Sequence, residues 1–155
     1  MTYGEVLRIG DPAPELGLPD VHGTPVTVAS LRGAPALVVF VPFAFSRTCQ
    51  SELSTLRDNR GPFDERHVRL VAVSCDSVFA LRAWTEQEAF GFDLLSDFWP
   101  HGAAAQRYGV FDEHKGMAVR GSFLLDADGV VRWSVVNSPG HPRDLEVHVE
   151  ALARL

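Results

Sequence analysis

Cysteine is scarce in this chain: among 155 residues, only Cys49 and Cys75 carry thiols. Two are too few for a disulfide scaffold, and a reducing compartment would not favour one. Reactivity, not cross-linking, is therefore the question they raise. Positive charge is also short. Fourteen Lys and Arg stand against twenty Asp and Glu, a formal charge of -6, which argues against the basic face of a nucleic-acid binder. Long apolar runs are missing. The longest, Ala34 to Phe45, is interrupted by Pro35 and Pro42 and falls short of the roughly 20 residues of a membrane span. The opening stretch, Met1 to Ala13, carries Glu5, Arg8 and Asp11 rather than the basic-then-apolar order of a signal peptide. A cytoplasmic location is expected. The six histidines, His22, His67, His101, His114, His141 and His148, lack zinc-motif spacing. Asp126-Ala127-Asp128-Gly129 begins like a calcium loop, but the later ligands are missing. No metal site is expected.

What is present suits a globular α/β protein. With 46% hydrophobic and 22% charged residues, the chain can bury a core of its own, and one domain over residues 1–155 is expected. Glu15 to Leu18 and Pro25 to Val28 read as a small hairpin. Ala36 to Val41 (ALVVFV) is an unbroken apolar run suited to a strand buried on both faces. Cys49 to Arg60 has Leu53 and Leu56 at helical spacing, with Gly61-Pro62 as its stop. Val68 to Ser74 reads as a second core strand, followed by a helix capped by Asp76 or Ser77 and carrying Leu81, Trp84 and Glu88 on one stripe. Leu94-Leu95 is a short strand or extended piece, and Ala103 to Tyr108 a short helix ended by Gly109. Gly121 to Leu125 and Val130 to Val136 flank a turn whose Asp128-Gly129 step signals a hairpin. Leu145, Val149 and Leu152 give the last helix its apolar stripe. The order is a βαβ unit, then a ββα unit, with an extra hairpin in front. That is a thioredoxin-like fold, a central mixed sheet with helices on both faces.

The chemistry concentrates in Val41-Pro42-Phe43-Ala44-Phe45-Ser46-Arg47-Thr48-Cys49-Gln50-Ser51-Glu52. This stretch joins the carboxyl end of a buried strand to a helix start, where open α/β sheets place their ligands. Unpaired N–H groups and the positive end of the helix dipole favour the thiolate there, the form that attacks. Position alone leaves Cys49 divided between nucleophile and small buried filler. The neighbours favour the first. Ser46, three residues earlier, can hold an incoming oxygen, and Pro42 can pack against the sulfur with no N–H to satisfy.

Pro42-x-x-x-Ser46-x-x-Cys49 resembles the peroxiredoxin active-site pattern, Pro-x-x-x-Thr/Ser-x-x-Cys, with Ser46 as the less common option. The resemblance runs from Gly10-Asp11-Pro12-Ala13-Pro14 through Leu95 to Gly102 (LSDFWPHG), Tyr108-Gly109-Val110 and Arg120 to Asp126, as far as the final helix. Within the family, Ser-Asp-Phe-Trp-Pro-His-Gly is similar to the one-cysteine alkyl hydroperoxide reductase E type of actinobacteria. The resemblance implies a thiol peroxidase acting on hydrogen peroxide and organic hydroperoxides, with peroxynitrite a further candidate. Cys49 would become a sulfenic acid, with no metal, haem or flavin. Arg120 would be the cation that stabilises thiolate and developing oxyanion, alongside Ser46 and the Cys49 N–H. Without that context, Arg120 reads as a surface arginine on a strand edge. Glu52 either positions this network or is a solvated helix residue. Cys75 ends the neighbouring strand and is either a buried structural thiol or a resolving partner, which would need Cα atoms within about 7 Å. The family's usual resolving positions hold no cysteine here. That favours reduction by a low-molecular-weight thiol or a glutaredoxin-like protein, mycothiol and mycoredoxin in the resembling subgroup. Phe43, Phe45, Phe98 and Trp99 would supply a homodimer contact, with a larger ring also open.

Two rivals share the fold. A disulfide oxidoreductase predicts Cys-x-x-Cys, but Ser46-Arg47-Thr48-Cys49 has a hydroxyl in the first place. It also predicts a proline before the third core strand, where Arg120-Gly121-Ser122 stands. A non-catalytic binding module would leave Cys49 unreactive to peroxide.

Overall fold

The computed structural model describes residues 7–155; Glu5, part of the charged opening stretch, lies outside them. Strands β1 (Leu18–Pro19) and β2 (Pro25–Val26) pair antiparallel. The hairpin is shorter than its alternating sequence suggests, because Thr27 leaves it to cap helix α1 (Val28–Leu31). Thr27 Oγ1 accepts from Ser30 N, and Thr27 N donates to Ser30 Oγ. This reciprocal pair satisfies two N–H groups that a helix start otherwise leaves open.

Strand β3 (Ala36–Phe40) is buried at every residue, as its unbroken apolar run requires. Helix α2 (Arg47–Asp58) begins two residues earlier than the apolar spacing implied, so Cys49 is its third residue. Gly61-Pro62, expected only as a stop, opens a further short helix, α3 (Gly61–Glu65), with Pro62 in its first turn. Proline is favoured there, where an N–H has no partner in the helix. Strand β4 (Arg69–Ser74) leads to α4 (Val78–Glu88), capped by Ser77. Leu81 and Trp84 are buried on α4, while Glu88 is half-buried. Strand β5 (Asp93–Ser96) and α5 (Ala103–Arg107) precede a two-strand ribbon absent from the sequence reading, β6 (Phe111–Asp112) and β7 (Met117–Ala118). Strands β8 (Arg120–Leu125) and β9 (Val131–Asn137) form the expected hairpin around Asp126–Gly129. Helix α6 (Leu145–Ala151) then runs into a 3-10 turn, Leu152–Arg154. Its buried residues are His148, Ala151 and then Leu152, with Leu145 and Val149 only partly covered. The stripe expected from Leu145, Val149 and Leu152 is thus centred on His148.

The central sheet has the order β5-β4-β3-β8-β9. β3 and β5 run parallel to β4, while β8 runs antiparallel to both β3 and β9. This is the thioredoxin-like mixed sheet anticipated from the element order. Alternate residues feed two cores. Val38, Phe40, Val71 and Val73 pack with α1, α5 and Tyr108. Leu37, Val39, Leu70 and Ala72 pack with Leu53, Leu56, Trp84 and Leu152 from α2, α4 and the C-terminal turn. Gly121 lets β8 lie close to the chain before β6: a Cβ there would stand 2.7 Å from Val110 Cγ1. That close approach sits directly beside Arg120.

Candidate active site

Residues 41–46 carry the chain from the carboxyl end of β3 into α2. Val41 N still donates to Val73 O at 2.9 Å, and Pro42, buried, ends the ladder. Phe45 has φ +66°, a left-handed conformation that disfavours a bulky residue and costs on the order of 1–2 kcal/mol. It turns the chain so that Ser46 becomes the α2 cap, its Oγ accepting from Cys49 N at 3.3 Å. The loop is also held from the side. Asp76 Oδ2 accepts from Ala44 N and from Ser74 Oγ, each at 2.7 Å. Asp76, one of two expected caps for α4, thus tethers this loop, and Ser77 does the capping.

Cys49 is fully buried. The nearest charged group bonded to it is Arg120, whose Nη1 donates toward Sγ at 3.6 Å. Arg120 is buried, not a surface arginine, and its Nε donates to Pro139 O at 2.7 Å. The same Nη1 donates to Glu52 Oε1. Glu52 is therefore a buried member of this cluster rather than a solvated residue. Its other partner is Arg143, which sequence reasoning missed. Arg143 gives Glu52 Oε2 its backbone N–H at 2.8 Å and its Nε at 2.9 Å, and gives Oε1 its Nη2 at 2.9 Å. Burial by itself would raise the Glu52 carboxyl; Arg143's hydrogen bonds and the charges of Arg143 and Arg120 outweigh that and hold it below the usual range. Two guanidiniums share one carboxylate, leaving net positive charge facing the sulfur. The Cys49 N–H, expected to face an incoming oxygen, is instead turned to Ser46 Oγ. That contact uses a lone pair of Ser46 and leaves its hydroxyl proton free to donate.

Cys75, one residue beyond β4, is also buried, but among different groups. The Ala118 N–H bonds to it, and burial together with the charge of Asp97 pushes its thiol up to about 12. Asp97 caps α5 through the N–H groups of Ala104 and Ala105, on the α1–α5 side of the sheet. Cys49 belongs to the opposite core. Phe43, Phe45, Phe98 and Trp99 are exposed by 44, 45, 50 and 81%, as a contact surface would need. Among the other tryptophans, Trp84 is buried and Trp133 partly so. Among the described residues, no His, Cys, Asp and Glu group is arranged to hold a metal, and no helix is long and apolar enough to cross a membrane.

Residues 9–134 match the AhpC/TSA family model. The chain belongs to the AhpC/TSA family of peroxiredoxins. It is similar to alkyl hydroperoxide reductase E of Mycobacterium tuberculosis, with 42% identity across 97% of this chain and 99% of that one. Among solved structures it resembles Enterococcus faecalis AhpC, at TM-score 0.84 and 28% identity, covering 94% of this chain and 90% of that chain. Peroxidoxin BcpB from Mycobacterium tuberculosis superposes at TM-score 0.83 and 29% identity, covering 96% of each chain.

Within this family setting, Arg143 lies beyond the matched segment, in a Pro-containing loop where no periodicity marks it. Its only sequence signal is a cation beside Pro142 just ahead of a helix.

Proposed function

We propose that this peroxiredoxin reduces hydrogen peroxide and organic hydroperoxides through Cys49. The observation that carries this reading is the Arg120 guanidinium at 3.6 Å from a thiol in the first turn of α2. Cation and helix dipole both favour the thiolate. The thiolate attacks one peroxide oxygen, the O–O bond breaks, and the departing oxygen takes a proton and leaves as water or an alcohol. Cys49 is left as a sulfenic acid, oxidised by two electrons as the peroxide is reduced by two. The Ser46 hydroxyl donates to a peroxide oxygen, Arg120 offsets the charge growing on the departing one, and buried Pro42 helps keep water from the sulfur. Glu52 and Arg143 fix Arg120.

The cycle closes with an external thiol, a low-molecular-weight one or that of a glutaredoxin-like protein, attacking the sulfenic acid. The separate surroundings of Cys75 support this one-cysteine reading. The exposed Phe43, Phe45, Phe98 and Trp99 support a homodimer, the acidic composition supports a role without nucleic acid, and the charged opening stretch supports a place in the cytoplasm. Ser46, standing where a disulfide reductase would carry its first cysteine, speaks against that alternative.

Mixing reduced protein with equimolar hydrogen peroxide in a stopped-flow fluorimeter tests the reading through tryptophan fluorescence. Cys49→Ser should abolish rapid consumption and Cys75→Ser should leave it intact. Unchanged consumption by Cys49→Ser would overturn the proposal.

A further inference from the structure

Behind the Glu52–Arg143 pair, the hydrogen bonds continue to a residue the reaction above does not use. Arg143 Nη1 donates to Gly121 O at 2.8 Å and to Ser122 Oγ at 3.1 Å. Ser122 Oγ lies 2.9 Å from His148 Nε2. Both Ser122 and His148 are buried. A guanidinium can only donate, so Ser122 must accept from Arg143, and its own proton needs another acceptor. Among the described hydrogen bonds, His148 Nε2 alone can take it. This assigns the imidazole as neutral, with its proton on Nδ1.

We infer that His148 is a positioning residue for the peroxidatic centre, holding Arg143 through Ser122 and thereby setting where Glu52 and Arg120 stand beside Cys49. The inference rests on the function proposed above. The chain of contacts spans α6, β8, the loop before α6 and α2, and ends on the sulfur. His148 is held in turn by Trp133 on β9, its ring edge-on at 5.9 Å between centroids. The charged groups acting on the ring are Arg143 and Glu52. Burial and the Arg143 charge keep the imidazole down at about 4, so it is the neutral acceptor this arrangement needs near pH 7. A cleft of about 330 Å³ between α2 and α6 is lined by Glu52, Arg143 and His148. Water entering it would compete for these hydrogen bonds if the acceptor were lost.

The test uses the full chain carrying Cys75→Ser, so that Cys49 is the one thiol read. His148→Phe keeps a ring against Trp133 but removes Nε2; His148→Gln restores an acceptor at similar reach. His148→Phe should slow peroxide oxidation about fivefold, the effect of losing one buried hydrogen bond from the network. It should also move the pH profile of Cys49 alkylation by iodoacetamide to higher pH. His148→Gln should recover most of both. Ser122→Ala should match His148→Phe, and the double variant should be no worse than either alone. A wild-type rate and profile in His148→Phe would overturn the inference, as would His148→Gln no better than His148→Phe. If His148→Phe does not fold, Ser122→Ala decides, and wild-type behaviour there is fatal. Alkylation needs no peroxide. If the parent fails to consume peroxide while the alkylation profiles still shift, the proposed function falls and the positioning role stands.

Discussion

Cys49 and Cys75 are both buried, yet the sheet between them gives them opposite electrical surroundings. Cys49 faces Arg120, backed by Glu52 and Arg143. Cys75 faces the carboxylate of Asp97, with that of Asp76 adding a smaller push. Exposure does not distinguish the two thiols. What differs is the sign of the charge acting on each, and a thiolate beside a guanidinium is favoured where one beside a carboxylate is not. Under the function proposed for Cys49, its sheet face and loops set the two thiols apart, not their accessibility.

Removing the cation is the most direct way to break the comparison. Arg120→Met should make Cys49 resemble Cys75. Peroxide oxidation measured by stopped flow should fall about 10²–10³-fold, the usual loss when one charge-stabilising donor is removed. A fall smaller than threefold would mean that the helix start alone supplies the activation.

Acid should separate the two faces by sign. His148, on the Cys49 side, has its pKa lowered from 6.5 to about 4. Between those values the unfolded chain binds the extra proton and the folded one does not, so stability falls as the pH falls through this window. The loss should approach about 3 kcal/mol near pH 4. Glu52, also lowered, adds a further loss at more acid pH. Asp97, on the Cys75 side, is raised because burial outweighs the N–H groups of Ala104 and Ala105. It binds a proton more readily when folded, so its contribution improves as the pH falls toward its unfolded value. Urea titrations from pH 7 to pH 4 should show a slope that His148→Gln flattens. An unchanged slope would remove His148 as its source.

The smallest effect should come from Cys75. Cys75→Ser should leave the oxidation rate within about twofold, and oxidised wild-type protein should show no intramolecular disulfide by mass spectrometry. A disulfide between Cys49 and Cys75 would sink the separation of the two faces.

Much of this was legible in the chain because it is local. The ALVVF run is short, unbroken and strand-like, and Pro42, Ser46 and Cys49 lie within one loop and one helical turn. Arg120 could be identified only through the family resemblance, because an arginine entering a strand otherwise reads as a surface residue, and here it is buried. Thr27 and Ser30 were harder, since alternation around Val26 and Val28 looks like strand until the reciprocal cap is seen. Gly61-Pro62 punctuates two helices at once, and a stop signal does not announce that a start follows. Arg143, Ser122 and His148 were not legible at all. Arg143 meets Glu52 across 91 positions and Ser122 meets His148 across 26. No pattern within one element encodes such a meeting.

The alternation of β4 has a consequence for how this chain could change. Ser74 bonds Asp76, which holds the Cys49 loop; Cys75, the next residue, turns to the other side. Losing the Ser74 hydroxyl would free one side of Asp76 and loosen its hold on that loop. Adjacent residues at the end of β4 thus serve opposite faces of the sheet, Ser74 bracing the Cys49 loop and Cys75 lying away from it.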